Sequence, residues 1–144
     1  MIAVDTNILV HAHRRDASLH HRAVALVKTL AEARTPWAIC YHSLVEFYSV
    51  ATRRGLWGTP STPGKALNQI QAWRESPGLR ILHDSDACLD ALHELATASV
   101  PTGGMIHDAR IAACCIVSGI DELWTVDRDF SRFPQLRCRN PLSP

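Results

Sequence analysis

The sequence lacks any long uninterrupted apolar run. Its longest nearly apolar stretch, residues 111–120, contains a serine and a glycine and has about half the length of a bilayer span. The N-terminus also lacks a basic segment followed by an apolar core, and an acid already stands at position 5. We therefore expect neither a membrane span nor a secretory signal, and we expect the protein in the cytoplasm.

Paired cysteines and charge of one sign are lacking as well. The five cysteines show no CxxC spacing, which argues against a disulfide scaffold and against a thiolate zinc site. The formal net charge is only +1, so the chain has no general attraction to nucleic acid. Lysine is limited to Lys28 and Lys65. The remaining cations are arginines, which can still make local bidentate contacts with phosphate.

The apolar pattern alternates short strands with amphipathic helices. With 144 residues, 47% of them hydrophobic, the chain can form one globular domain over residues 1–144. We predict strands at residues 2–4, 37–40, 79–83 and 123–126, with a short fifth strand at 136–138. We predict helices at residues 20–33, 44–51, 63–76, 86–99 and 107–118, and a loop at 11–16. Such alternation predicts a parallel sheet covered by helices in a three-layer α/β domain.

Two of these predicted helices have specific apolar residues assigned to the core. The helix after Pro63 presents Leu67, Ile70 and Trp73 at helical spacing, and Asp84 or Ser85 can cap the next helix. The core positions expected of that helix are Leu89, Leu92 and Leu95.

Acidic side chains lie where the predicted strands end or the predicted helices begin. Asp5 follows the first strand, and Asp127 follows the fourth. Glu46 lies early in the helix after the second strand, and Asp108 lies in the first turn of the helix before the fourth. Open α/β sheets bind ligands outside the carboxyl ends of their strands. We therefore expect all four acids to face one edge of the sheet.

Each acid also has a structural explanation. Asp5, or either of the two polar residues after it, can cap the following helix. Ser43 and Glu46 match the S-x-x-E capping box, and Asp108 in a first helical turn would interact favourably with the helix dipole. Residues 127–129 can form a surface turn. Taken singly, each acid has a structural role as its simpler explanation.

Taken together, the acids favour a cation site. Two carboxylates about 4 Å apart repel each other by roughly 4 kcal/mol at an effective dielectric constant near 20. Oxygen-only ligands select a hard ion such as Mg²⁺ or Mn²⁺. An ion of this kind supports hydrolysis of phosphodiesters.

The sequence resembles the PIN-domain ribonucleases, and more narrowly the VapC toxins of bacterial toxin–antitoxin pairs. The resemblance is carried by Asp5-Thr6-Asn7, by Glu46, by the HDARIAA block at residues 107–113 and by the TVDRDF block at residues 125–130. It runs along nearly the whole chain, although residues 55–84 match only in kind. The resemblance implies a PIN-like three-layer α/β/α domain with a central parallel sheet of four to five strands.

The resemblance also implies roles for particular residues. Asp5, Glu46, Asp108 and Asp127 would form an acidic quartet around Mg²⁺ or Mn²⁺. Asp5 and Asp108 would be the firmest metal ligands, and the other two would act directly or through water. Supporting roles would fall to Asn7 and Thr125 as hydrogen-bonding residues and to Asp129 as an auxiliary acid.

The activity implied by the resemblance is metal-dependent endoribonucleolytic cleavage of RNA by a toxin. The family further implies a cognate antitoxin that covers the active site, and self-association into a homodimer. A catalytically silent PIN-like module that binds RNA or a basic partner peptide at its acidic edge is the alternative. A phosphomonoesterase with an aspartyl nucleophile is disfavoured, because its D-x-D motif would require an acid where Asn7 stands.

Histidine and tryptophan give weaker signals. His11 with His13, and His20 with His21, lack an evident third metal ligand, so we predict structural or solvated roles for them. His107, beside Asp108, could orient a carboxylate or contact RNA. Trp57 lies in a glycine-flanked loop, where it could stack on RNA or contact a protein partner; the partner contact is favoured.

Overall fold

A single parallel sheet of five strands forms the centre of the molecule. The computed structural model describes all residues 1–144. The strand order is β3-β2-β1-β4-β5, and every neighbouring pair is parallel. The strands are β1 (Ile2–Val4), β2 (Trp37–Cys40), β3 (Leu79–Leu82), β4 (Glu122–Trp124) and β5 (Cys138–Arg139).

Six helices connect these strands. They are α1 (Thr6–His13), α2 (His20–Glu32), α3 (Tyr41–Ala51), α4 (Pro63–Arg74), α5 (Asp86–Ser99) and α6 (Ile106–Val117). Short 3₁₀ turns occupy Gly103–Met105 and Arg128–Arg132. None of the helices combines the length and apolarity that crossing a bilayer requires.

The sheet separates two apolar cores. Side chains alternate across a strand, so Ala38 and Cys40 of β2 pack with α5 and α6, whereas Trp37 and Ile39 pack with α1, α2, α3 and α4. The internal strand β2 is buried at every residue, which accounts for its continuous apolar sequence, whereas the edge strands β3 and β5 each carry an exposed arginine. The predicted three-layer α/β/α architecture is confirmed, with five strands.

The first and fourth strands are direct neighbours. The register pairs Ile2 with Glu122 and Val4 with Trp124, and the Asp5 amide donates a hydrogen bond of 2.9 Å to the Trp124 carbonyl. The two strands that precede Asp5 and Asp127 therefore end side by side at the same edge of the sheet. We call this the acidic edge.

The loop predicted at residues 11–16 is partly wrong, because α1 continues to His13. Its face toward the core is apolar, with Ile8, Leu9 and Ala12 buried. The polar end is held by its own contact, since His13 Nε2 lies 2.9 Å from the Ser61 hydroxyl. Asp5 itself is the N-cap of this helix, and its side chain accepts a hydrogen bond from the Thr6 amide.

Two of the leucines predicted in the core are instead exposed. Leu67 of α4 is 55% exposed and Leu89 of α5 is 65% exposed. The neighbouring small residues Ala66 and Cys88 are buried in their place. The other predicted core positions are confirmed in part, since Trp73 of α4 and Leu95 of α5 are buried and Ile70 and Leu92 pack against the two cores.

Candidate active site

Asp5 is the most buried acid of the acidic edge, with 4% of its surface exposed. Its Oδ1 accepts a hydrogen bond of 2.7 Å from the Thr6 amide. Its Oδ2 accepts bonds of 2.9 Å from Asn7 Nδ2 and 2.7 Å from Thr125 Oγ1. Asn7 Nδ2 also contacts Thr125 Oγ1 at 3.0 Å. The structure thus places Asn7 and Thr125 directly against the Asp5 carboxylate and fixes its orientation.

Burial raises the pKa of Asp5 to about 7, and it is the largest influence on this group. The hydrogen bonds from Thr125 and Thr6 act in the opposite direction, and repulsion from Glu46 and Asp108 adds a smaller increase. A carboxyl group with a pKa near neutrality is poised to gain or lose a proton when a charge arrives beside it.

Glu46 is linked to Asp5 through Thr6. The Thr6 hydroxyl donates a hydrogen bond of 2.8 Å to Glu46 Oε2, while the Thr6 amide is bound to Asp5. The capping-box explanation for Glu46 is wrong, because α3 already begins at Tyr41 with Cys40 as its N-cap. Ser43 lies inside the helix, and its buried hydroxyl has no hydrogen-bond partner.

Three further acids meet beside this pair. Carboxylate oxygens of Asp108, Asp127 and Asp129 all lie within 4.8 Å of one another. The 3₁₀ turn after β4 brings two of them together, because Asp127 Oδ1 caps it by accepting a hydrogen bond of 2.8 Å from the Asp129 amide. Asp127 is anchored in turn by a 3.0 Å bond from its amide to Thr125 Oγ1. We call these three acids the aspartate cluster.

The aspartate cluster carries uncompensated negative charge. Burial raises the pKa of Asp108 to about 6, and repulsion from Asp127, Glu46 and Asp129 adds to the increase. None of the ion pairs of the molecule involves Asp5, Glu46 or a member of the cluster. Like charges held together without a counter-charge raise the free energy of the folded protein unless a cation joins them.

The donor set of the cluster fits a hard divalent cation. All the ligand atoms are carboxylate oxygens, which Mg²⁺ and Mn²⁺ prefer. Oxygens that share an ion with bonds of about 2.1 Å lie no more than about 4.2 Å apart, and the spacing of up to 4.8 Å in the cluster is close to this limit. Asp5 and Glu46 lie outside the cluster, whereas Asp129, predicted only as an auxiliary acid, belongs to it.

A pair of histidines borders the cluster, and only one of them, His107, was predicted to have a role there. The rings of His42 and His107 are stacked, with centroids 5.2 Å apart and planes inclined by 15°. Arg110 holds the pair from α6 through a 3.0 Å contact between its Nη1 and His42 Nδ1, and it also forms an ion pair with Asp84. His42 stands one helical turn before Glu46 on α3, and this i, i+4 spacing was a signal that could have identified it.

A second polar region lies at the other end of α1. Here a cavity of about 770 Å³ is lined by His13, Arg14, Arg15, Ser61 and Lys65 among others. Arg14 donates hydrogen bonds to Asp16, to the Ser61 hydroxyl and to the Thr59 carbonyl. Its guanidinium also lies 4.7 Å from the centroid of Trp57. Trp57 is only half-buried, and its indole N–H donates a bond of 2.9 Å to the Val50 carbonyl.

Sequence comparisons show which family the chain resembles. Residues 2–136 match the family model described as PIN domain. The chain is 32% identical over 142 residues to VapC ribonuclease Mb2897 of Mycobacterium bovis, covering 99% of this chain and 96% of that protein. It is 27% identical over 139 residues to ribonuclease VapC48 of Mycobacterium tuberculosis, covering 96% of each chain.

Solved structures share the same fold. The crystal structure of Mycobacterium tuberculosis VapC20, described as a toxin that cleaves the sarcin-ricin loop, has a TM-score of 0.67 at 22% identity and covers 91% of this chain and 93% of that one. The crystal structure of VapBC2 from Rickettsia felis, bound to a DNA fragment from its promoter, has a TM-score of 0.68 at 23% identity. In that comparison 96% of this chain and 98% of the other are covered.

Proposed function

The chain belongs to the PIN domain family, and from this premise we propose that it is a metal-dependent endoribonuclease acting as the toxin of a toxin–antitoxin pair. The relatives that match it over nearly their whole length are named ribonucleases. The observation that carries the proposal is the aspartate cluster, in which three carboxylates face one another at the carboxyl end of the sheet without a counter-charge. The enzyme hydrolyses RNA phosphodiester bonds.

The cluster and Asp5 divide the work at the acidic edge. Asp108, Asp127 and Asp129 would hold a divalent ion, either Mg²⁺ or Mn²⁺, with Asp5 and Glu46 acting from the adjoining side. When bound, the ion neutralises charge on the substrate phosphate and lowers the pKa of water. Asp5 has an unused lone pair on Oδ1, and its pKa of about 7 suits it to accept a proton from the attacking water.

The remaining residues keep this geometry fixed. Thr125 and Asn7 orient Asp5, and Thr6 connects it to Glu46. Water adds to phosphorus in line as the bond from phosphorus to O3′ breaks. The proton of the water passes to the Asp5 carboxylate, and the O3′ leaving group takes up a proton from solvent. The products carry a 5′-phosphate and a 3′-hydroxyl.

The partners of the protein follow from the same family. Solved neighbours include VapBC and FitAB assemblies and a toxin–antitoxin complex from Klebsiella pneumoniae. We propose a cognate antitoxin that covers the acidic edge, a homodimer as the toxin's own assembly, and action in the cytoplasm.

The test is cleavage of cellular RNA by the purified protein with Mn²⁺ or Mg²⁺, with EDTA as the metal-free arm. Wild-type protein should cleave RNA and arrest growth when expressed, and Asp5→Asn and Asp108→Asn should do neither. Asp90→Asn is the matched control, because Asp90 is an exposed acid on α5 away from the acidic edge.

Two outcomes would contradict the proposal. Undiminished cleavage by Asp5→Asn and Asp108→Asn would remove the acids from catalysis. Absence of cleavage by the wild-type protein with either ion would leave the catalytically silent binding module as the function.

A further inference from the structure

The stacked histidines offer a flat surface beside the aspartate cluster. His107 is exposed at the start of α6, next in sequence to Asp108, whereas His42 on α3 is half-buried. One face of the His107 ring is covered by His42. His107 stacks on no second ring, so the ring face away from His42 is left without an aromatic partner, within one residue of the cluster.

Arg110 of α6 fixes the position of the stack. Arg110 spans His42 and Asp84, and its Nη1 lies 3.0 Å from His42 Nδ1. A guanidinium only donates hydrogen bonds, so His42 Nδ1 accepts this one. The contact fixes the plane of the His42 ring, and stacking on it fixes the plane of His107. The exposed ring face is thus preorganised.

The guanidinium next to this surface is not free to bind a phosphate. The guanidinium of Arg110 is paired with the Asp84 carboxylate, and its remaining contact goes to His42. A phosphate group would therefore find no free guanidinium here. A planar, uncharged ring is the complementary ligand, and single-stranded RNA is commonly held by stacking of its bases on aromatic side chains, histidine included.

We infer that the exposed face of His107, backed by His42, binds an unpaired nucleobase of the RNA next to the phosphate that is cleaved. The inference rests on the proposed function, and it specifies how the proposed active site binds its RNA substrate. His107 is the base-stacking residue, while His42 and Arg110 are positioning residues that act through it.

The test compares His107→Ala with His107→Phe, which restores a stacking ring. In steady-state cleavage with Mn²⁺, we expect His107→Ala to raise KM by about 5- to 10-fold, the lower range for loss of one base stack, with kcat within about twofold of wild type. His107→Phe should keep KM near the wild-type value. His93→Ala, an exposed histidine on α5, should change neither constant.

A spectroscopic measurement tests the stack independently of turnover. An oligonucleotide carrying 2-aminopurine at successive positions around the cleavage point is added with EDTA present, so that the strand stays intact. Wild type and His107→Phe should quench the fluorescence at one position, and His107→Ala should not. His42→Ala should give an intermediate result.

An unchanged KM and unchanged quenching in His107→Ala would overturn the inference, including the case in which the ring serves a protein partner instead of RNA. This failure differs from failure of the proposed function. In the latter, the wild-type protein itself would cleave no RNA, while the fluorescence result would still decide whether His107 stacks on a base.

Discussion

The two ends of helix α1 differ in whether their charged side chains are paired. At its start, Asp5 and Glu46 lie beside the aspartate cluster, and none of these acids belongs to an ion pair. At its end, Arg14 is matched on every side by Asp16, Ser61 and the Thr59 carbonyl, and it is stacked on Trp57. The helix has only 8 residues, so about 12 Å of rise separates the two arrangements.

The difference separates a polar site whose charges are matched from one whose charges are not. Matched charges and satisfied donors lower the free energy of the folded state, and the Arg14 region ties the loop before α4 to α1. Carboxylates that repel one another do the reverse, so their persistence at the acidic edge points to an external cation. Substitutions at the two ends should therefore change different properties.

The largest expected effect is at the acidic edge. Asp108→Asn should lower kcat/KM for RNA cleavage by at least about 100-fold, at or beyond the loss typical for residues that support a metal site. The same variant should have a higher melting temperature than wild type in EDTA at pH 7.5, because it removes a repelled carboxylate. Steady-state cleavage and thermal unfolding measure the two effects. Equal activity, or a lower melting temperature, would contradict the comparison.

At the other end of α1, Arg14→Ala should destabilise the fold without impairing the chemistry. Loss of the guanidinium removes its hydrogen bonds to the Ser61 hydroxyl and the Thr59 carbonyl and its contact with Trp57, which we expect to cost about 2 kcal/mol, roughly 30-fold in the folding equilibrium. Urea unfolding measures this cost, and kcat of the folded fraction should stay unchanged. Arg15→Ala, on the exposed neighbouring residue, is the control and should be nearly neutral.

Thr125→Val should have a smaller effect on the same acidic edge. It removes the hydroxyl that donates to Asp5 and accepts from Asn7 and from the Asp127 amide. We expect kcat/KM to fall about 10-fold and the acid limb of its pH profile to move to higher pH, because the pKa of Asp5 rises further without that donor. Thr125→Ser keeps the hydroxyl and should behave like wild type. An acid limb at the same pH as in wild type would show that the Thr125 hydroxyl does not influence the pKa of Asp5.

The smallest effect concerns pH and metal affinity. Because the pKa of Asp108 is about 6, half of these groups are protonated at pH 6 and must release the proton when a cation binds. Affinity for Mn²⁺, measured by calorimetry, should therefore be at least about twofold weaker at pH 6 than at pH 7.5. An affinity independent of pH would show that Asp108 takes no part in binding the ion.

The raised pKa values of two acids should also make the stability of the metal-free protein depend on pH. Asp5 and Asp108 have pKa values of about 7 and about 6 in the folded state, above about 3.9 in the unfolded chain. The folded state binds more protons between these limits, so the contribution of these two acids to stability is greatest below about pH 3.9 and declines until about pH 7. Asp16 contributes with the opposite sign, because hydrogen bonding to Arg14 lowers its pKa.

The sheet could be predicted from the sequence because its signal is local. Strands buried on both faces appear as short apolar runs, and acids that follow two of them implied a shared edge once the strands were assumed to be parallel. The pairing of β1 with β4 confirms that assumption.

The helices were less predictable, because their ends and exposed faces depend on distant residues. His13 belongs to α1 through a contact with Ser61, which is far away in the sequence. Ser43 resembled an N-cap, but β2 passes into α3 without an intervening turn, so the helix begins three residues earlier, at Tyr41. Leu67 and Leu89 fit an apolar stripe, but they are exposed, whereas Trp73 and Leu95 of the same stripes are buried.

The candidate site was predicted in its residue types more than in its grouping. The four acids of the proposed quartet do approach one another, since Glu46 and Asp108 both act on Asp5. The closest grouping, however, includes Asp129. Asp127 caps a 3₁₀ turn, and this turn places Asp129 beside Asp127. The stack of His42 on His107 joins two helices that are distant in the chain, so only coordinates could show it.

The place of β4 in the sheet has a consequence for the timing of synthesis. β1 is made first, but one of its edges has no partner until β4 is made near the other end of the chain. At translation rates of about 5–20 residues per second, roughly 6 to 25 seconds pass between incorporation of Asp5 and of Asp127. A nascent chain therefore cannot assemble the acidic edge before Asp127 has been made. The order of strands in the sheet delays formation of the proposed active site until β4 and the turn after it are complete.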